Sequence, residues 1–401
     1  MRLLKFISVF LGTALVVFGL VLGLNWSTFT IFIENRESLS EGSEWISKTH
    51  SLRGLSEYIG ENPERNSFSR IVFDNPDLEL HFNPDERRTL GVLSNLFLFI
   101  AFSSAMQDGI FSGGELISWE DVSRYQLSGV DESSHKEAYR QAGRRGWIEN
   151  GQIELSNALL LLSEFNNLAL SDYLWWMISP ELWEQLPGQL NLNSTDMPLP
   201  FSGLYLSLSP TVQQTTASEL QQLYDSFTDK EWRNHVAETS ENFASDKNVR
   251  NQINHLLDQE RIGLTFMQER DMLRFFPKGT SGELSSLIFS ALRGDPDLNF
   301  SSMSLTDWMR WPVKGTSILR RDASDYGAFY DNRIGLLAGI NFGTSSYTGE
   351  TSVQVLLMDN LPIGFWFHAS GGHMQQDLLQ RLVYDPAMIG QMEFVIRQNQ
   401  N

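Results

Sequence analysis

The chain has 401 residues, and 49 acidic against 30 basic side chains leave a formal net charge of −19. Phosphate recognition needs a basic surface, and the few lysines are scattered, so nucleic acid is excluded as a partner. Cysteine is absent, which removes disulfides, thiolate metal sites and cysteine nucleophiles, while a 41% hydrophobic fraction supplies a core for one large or two modest domains.

Arg2 and Lys5 precede an uncharged apolar run over 6–24, FISVFLGTALVVFGLVLGL, whose 19 residues match the ~20 needed to cross a bilayer as a helix. Its length, and an ending without a small-x-small site, favour an uncleaved signal anchor over a signal peptide. Positive charge before the span, and Glu34, Glu37 and Glu41 after it, place the rest of the chain outside the cytoplasm. In a Gram-negative cell that is an inner-membrane anchor with a periplasmic body, or a secreted protein if the signal is cleaved.

Positions Trp45, Ile46, Leu52, Leu55, Tyr58 and Ile59 recur at helical spacing, so 39–59 is expected as an amphipathic helix within a membrane-proximal segment, 27–66. Two alternating strands follow, 68–73 and 78–82, around the turn Asp74, Asn75, Pro76, Asp77. After a polar loop comes LGVLSNLFLFIAFSSAM at 90–106, apolar on all sides and so a buried helix. The middle of the chain reads as mainly helical. Within it, 154–177 is expected as one long helical stretch, 209–268 as a polar, peripheral insertion, and 284–292 as a helix opened by the cap Thr280, Ser281, Gly282, Glu283. Strands return at 333–342 and 353–358 as a long hairpin, with a short strand at 365–368 and a final amphipathic helix at 374–384. Strands at both chain ends around a helical middle imply one α/β (α+β) domain over 67–401. Its antiparallel sheet part covers about 67–92 and 295–401, and an inserted helical part about 93–294.

This order of elements resembles the class A β-lactamase-like and penicillin-binding serine hydrolases over roughly Trp45 to the C-terminus. The carriers are the strand pair followed by FNPDERRTLGVLSNLFLF, the segment LSGVDESSH at 127–135, the helix running into SDYL, KGTSGELSSLIFSALRG, and MRWPV followed by YGAFYDNRIGLLAGINF. The resemblance implies a β-lactamase/transpeptidase-like fold. It also implies three catalytic motifs, each of which is altered here.

The family's nucleophilic serine opens a buried helix in Ser-x-x-Lys, where residues three apart share a face and an amine can take the hydroxyl proton. Ser94 falls at that position, but Phe97 stands in place of the lysine, and no lysine occurs between Lys48 and Lys136. The second motif, Ser-x-Asn, maps onto Asn166, Asn167 and Leu168, or onto Phe165, Asn166 and Asn167. Neither register has the serine, which leaves Ser163 and Asn167 as nearby polar candidates. The third motif, a lysine on the sheet's inner strand, maps onto Phe329, Tyr330, Asp331 and Asn332, where Asp331 has the wrong sign. Lys314 is the alternative, and Lys278 begins a second copy of the same tetrapeptide.

Loss of the base, the proton shuttle and the electrostatic clamp together implies a pseudoenzyme acting as a cell-envelope binding or scaffold module. The alternative is an active serine acyl hydrolase using Ser94, with His135 as a possible activating group. No metal is expected, since His368 and His373 lie in no zinc pattern, and no cofactor, since no nucleotide-binding string occurs. Trp175, Trp176 and Trp183 read as core packing, or as a groove for a peptide-like ligand. The partner expected is an envelope protein or peptide-like ligand, and the oligomeric state is open.

Overall fold

The computed structural model describes residues 33, 35–295, 298, 302–310 and 321–399. The apolar N-terminal run and Lys314 lie outside them. No helix among the described residues is long and apolar enough to cross a membrane.

The membrane-proximal stretch is not one helix. Gly42 takes a left-handed φ of +76°, which separates Arg36–Leu39 from Ser43–Lys48, and α1 (Leu52–Glu61) follows after Thr49. Strands β1 (Asn66–Val72) and β2 (Leu80–Phe82) form the expected antiparallel pair, with Phe68 opposite Phe82. After β3 (Arg88–Thr89), a tight turn over Gly91–Asn95 leads into α2 (Leu96–Gln107), buried at every residue from Leu96 to Ala105. The strand β4 (Leu116–Ser118), helix α3 (Glu132–Arg144), and strands β5 (Ile148–Glu149) and β6 (Gln152–Glu154) follow. The three strands make a small separate sheet in the order β4-β6-β5.

The stretch 154–177 is two helices, α4 (Leu155–Phe165) and α5 (Leu168–Met177), divided at an asparagine pair. Asn166 takes the left-handed conformation that ends α4, with φ +49°, and the Asn167 side chain accepts from the Leu170 N–H as the N-cap of α5. Next come α6 (Pro180–Gln189), α7 (Phe201–Leu208), α8 (Asp229–Ser245), α9 (Lys247–Glu260) and α10 (Phe266–Met272). This region, expected to be peripheral, adds Leu220, Tyr224, Trp232 and Val236 to the main core. The helices α7 and α8 meet so closely at Gly203 that a Cβ there would lie 2.0 Å from the Val236 carbonyl oxygen. Polar exposed faces hid that contact from a composition argument.

The strand β7 (Lys278–Gly279) pairs with β3, and α11 (Ser281–Arg293) packs on β1 and β10. A helix assigned by sequence to the helical part thus belongs to the sheet layer. Strands β8 (Ala323–Asp331), β9 (Leu337–Ser345) and β10 (Thr351–Met358) complete the main sheet, in the order β2-β1-β10-β9-β8, with every neighbour antiparallel. The segment 365–368 is not a strand. It lies inside α12 (Ile363–Gly371), followed by α13 (Met374–Tyr384) and α14 (Pro386–Asn399).

An antiparallel sheet joined from both chain ends, with helices on either face and a helical insertion, is the α/β architecture the sequence implied. Alternation along β8 sorts its side chains between two cores. Phe329 joins the one built on α2, whereas Ala328 and Tyr330 join the one under α1 and α13.

Candidate functional site

The motif positions converge where the free edge of β8 meets the start of α2. β8 is the outermost strand of its sheet, not an inner one, and its outer edge carries an isolated bridge from Arg310 to Gly327. Asn166 Nδ2 donates to the Tyr330 carbonyl at 2.8 Å, tying the α4–α5 junction to the strand. One residue on, the buried Asp331 carboxylate accepts from the Val92 N–H at 2.7 Å, in the turn that opens α2. Phe329 lies edge-on to Phe99, with ring centroids 5.8 Å apart. Strand and helix are thus joined directly through these contacts.

This contact needs a glycine. Gly91 has φ +54°, and a Cβ there would fall 2.0 Å from Asp331 Oδ2 and 2.7 Å from Leu336 Cδ2. The carboxylate is held on its other side by Arg333, whose N–H reaches Oδ1 at 3.2 Å and whose Nε reaches Oδ2 at 3.1 Å. Arg333 Nη1 in turn donates to the Tyr205 hydroxyl, and the guanidinium lies 5.0 Å from the centre of the Phe201 ring. The chain of contacts Val92, Asp331, Arg333, Tyr205 thus runs from the helix start to the inserted α7.

The structure gives the serine of the first motif a different setting from a nucleophile's. Ser94 is fully buried, and its hydroxyl donates to the Gly91 carbonyl at 2.8 Å within its own turn. The residue whose backbone meets β8 is Val92, two positions earlier. Three residues after Val92 comes Asn95, also buried, whose Oδ1 accepts from Ser171 at 2.6 Å. Phe97 is fully buried. Asn95 Nδ2 and Asn166 Oδ1 are buried without a hydrogen-bond partner among the described residues.

The remaining candidates are structural in their contacts. Asn167 Nδ2 lies 3.1 Å from His135 Nδ1, and His135 Nε2 lies 3.0 Å from the Ser123 hydroxyl, which donates to the Trp119 carbonyl. Burial lowers the pKa of this imidazole. Neither contact involves Ser94. Ser163 donates to the carbonyls of Leu160 and Trp308. His368 bonds the Thr49 carbonyl, and His373 starts α13 in a left-handed conformation. Among the described residues no three His, Asp or Glu side chains are grouped to hold a metal. Trp175 and Trp183 stack at 6.1 Å, and the indole N–H groups of Trp175, Trp176 and Trp183 bond Pro198, Ser240 and Trp175 across helices, so this cluster is packing. Lys278 sits in β7, and Lys314 is outside the described residues.

Sequence reasoning missed Val92, Arg333 and Tyr205. The available signal was Gly91 before the buried helix, whose need for a positive φ marks the place where another group approaches the backbone.

No family model matches the chain, and no curated protein matches it. Among solved structures, a β-lactamase from Sphaerobacter thermophilus is similar at a TM-score of 0.48 and 11% identity, over 83% of this chain and 96% of that one. A β-lactamase from Chitinophaga pinensis gives a TM-score of 0.44 at 13% identity, over 80% and 99%. The protein PBP-A gives 0.43 at 10% identity, over 82% and 97%.

Proposed function

We propose that this chain is a catalytically degenerate member of the β-lactamase-like fold, held at the membrane by its N-terminal segment and acting outside the cytoplasm as a binding or scaffold module. The observation that carries the reading is the Asp331 carboxylate seated on the Val92 N–H. Acyl transfer needs a hydroxyl at the helix start, an amine one turn on, and free donors for the developing oxyanion. Here valine and asparagine hold the two helix positions, and an internal anion already occupies a donor of the kind an oxyanion would use. Phe97 and Phe329 fill space with rings that move no proton, and the serine in the segment is turned into its own backbone.

The test is covalent labelling of the purified full chain with a fluorescent penicillin and a fluorophosphonate, beside the Ser94→Ala variant. No labelling of folded protein is expected. Labelling that vanishes in the variant would establish Ser94 as an active nucleophile and overturn the proposal.

Anchoring rests on the apolar run over 6–24 and the charges that flank it. After an alkaline carbonate wash the full chain should stay with the membranes, and a chain beginning at Ser27 should be released. Release of both would remove the anchor from the reading.

A further inference from the structure

The sequence stays uncharged well past the apolar run, from Phe6 to Ile33. Between Leu24 and Ile33, the stretch NWSTFTIF carries a tryptophan, two phenylalanines and an isoleucine, and aromatic side chains of this kind gather where a membrane meets water. The folded body takes up the chain directly after it. Asn35 is 5% exposed, and its Oδ1 accepts from the Phe266 N–H at the start of α10, at 2.7 Å. Glu41 then accepts from Arg270 Nη1 at 2.8 Å and from the Ile363 N–H, at the start of α12, at 2.9 Å. The entry of the chain is thus pinned to α10 and α12.

Large apolar side chains stand in water beside that entry. Ile33 is 59% exposed and Met267 is 41% exposed. The half-buried Phe266 ring lies 5.4 Å from the half-buried Phe367 ring, and the half-buried Ile262 and Ile334 border the same hollow as Asn35 and Phe266. The exposed charges around them are of both signs, Arg36 and Arg261 against Glu37 and Glu260, so the patch presents no single-sign field. Apolar side chains among mixed charges suit the layer where lipid headgroups meet acyl chains. The step from Leu24 to Ile33 spans at most about 32 Å even when fully extended, so this face is the part of the body held nearest a bilayer that takes up the N-terminal run.

We propose that the face bearing Ile33, Phe266, Met267 and Phe367 rests in the headgroup layer of the same bilayer that holds the N-terminal segment. The inference rests on the anchoring reading and adds to it an orientation of the body. Ile334 lies at this face, and β9 begins three residues later and runs for nine residues, about 26 Å. The turn at Ser346, past the far end of β9, is therefore separated from the entry face by the length of the strand.

The chain has no cysteine, so a single introduced one reports its own position. Met267→Cys and Ser346→Cys, both at exposed positions, are each labelled with a nitrobenzoxadiazole fluorophore in the full chain. The labelled chains are reconstituted in phosphatidylcholine vesicles with and without doxyl-labelled lipid. The probe at 267 should emit to the blue and be quenched about threefold or more by the doxyl lipid, as expected of a group at the headgroup–acyl boundary. The probe at 346 should emit as in water and keep its intensity. Should Met267→Cys fail to fold, Arg36→Cys, at the exposed position next to Asn35, gives the same report from the same face. Water-like, unquenched emission from this face in a chain that survives the carbonate wash, or equal quenching at 267 and 346, would overturn the orientation and leave the anchor standing. Release of the chain in that wash would remove the anchor and this inference together.

Discussion

Replacing Asp331 with alanine should destabilise the fold by about 3–5 kcal/mol, the loss expected when one partner of a buried ion pair is removed. Two groups would be stranded. The Val92 N–H would lose its acceptor at the start of a helix that is buried on every side, and Arg333 would keep its charge with 13% of its side chain exposed. The remaining Tyr205 hydroxyl is a dipole and does not neutralise a guanidinium. Urea unfolding at neutral pH measures the loss. Asp331→Asn, which keeps an acceptor for Val92 but not the charge, should fall between the two. Asp331→Ala with Arg333→Met should recover part of the loss, because the uncompensated charge goes with the arginine. A loss below about 1 kcal/mol for Asp331→Ala would place this pair with exposed ion pairs.

The contact at issue joins residues 239 positions apart, and that separation sets what could be read in advance. Local signals were legible. The turn Asp74 to Asp77 sits between two strands, and the all-apolar run over 90–106 is a buried helix, because turn chemistry and missing polarity act within a few residues. The aromatic segment at 365–368 misled, since Phe365, Trp366 and Phe367 have strand propensity, yet they pack as a helix following Pro362. The break at Asn166 was hidden because asparagine is tolerated on a helix face and reveals itself as a cap only through φ. The site suffered from the same limit. A search for a serine nucleophile settles on Ser94, the serine in the segment, whereas the position facing β8 is set by how Gly91 turns the chain and is taken by Val92. Asp331 was noted for its sign alone. Only its distance to the Val92 N–H shows that the carboxylate fastens β8 to the start of α2.

Stability should fall as pH rises from about 4 to about 8, contrary to the usual acid sensitivity of proteins, and Asp172 should account for most of the slope. Its carboxylate is completely buried on α5 and accepts from the Phe201 and Ser202 N–H groups at 2.5 and 2.6 Å, fastening the start of α7 to the core. Burial raises its pKa to about 7, against the opposing hydrogen bonds from Ser202 and Phe201, and burial likewise raises Asp131 to about 6. A carboxyl whose folded pKa exceeds the unfolded value of 3.8 binds its proton more tightly when folded. Its stabilisation is therefore complete below that unfolded value and is lost as pH climbs through the folded one. A shift of this size corresponds to a loss on the order of 4 kcal/mol. His135, whose pKa is lowered by burial, acts in the opposite direction, since its contribution is lost as pH falls below about 6.5. It should round the profile on the acid side without reversing it. Urea unfolding of the unaltered chain and of Asp172→Asn at a series of pH values separates the terms. The variant should start less stable, because an amide accepts only one of the two N–H groups well, and its profile should be much flatter above pH 5. Parallel profiles for the two proteins would mean that Asp172 stays ionised in the fold. The two short backbone bonds at the start of α7 would then outweigh the cost of burying the charge.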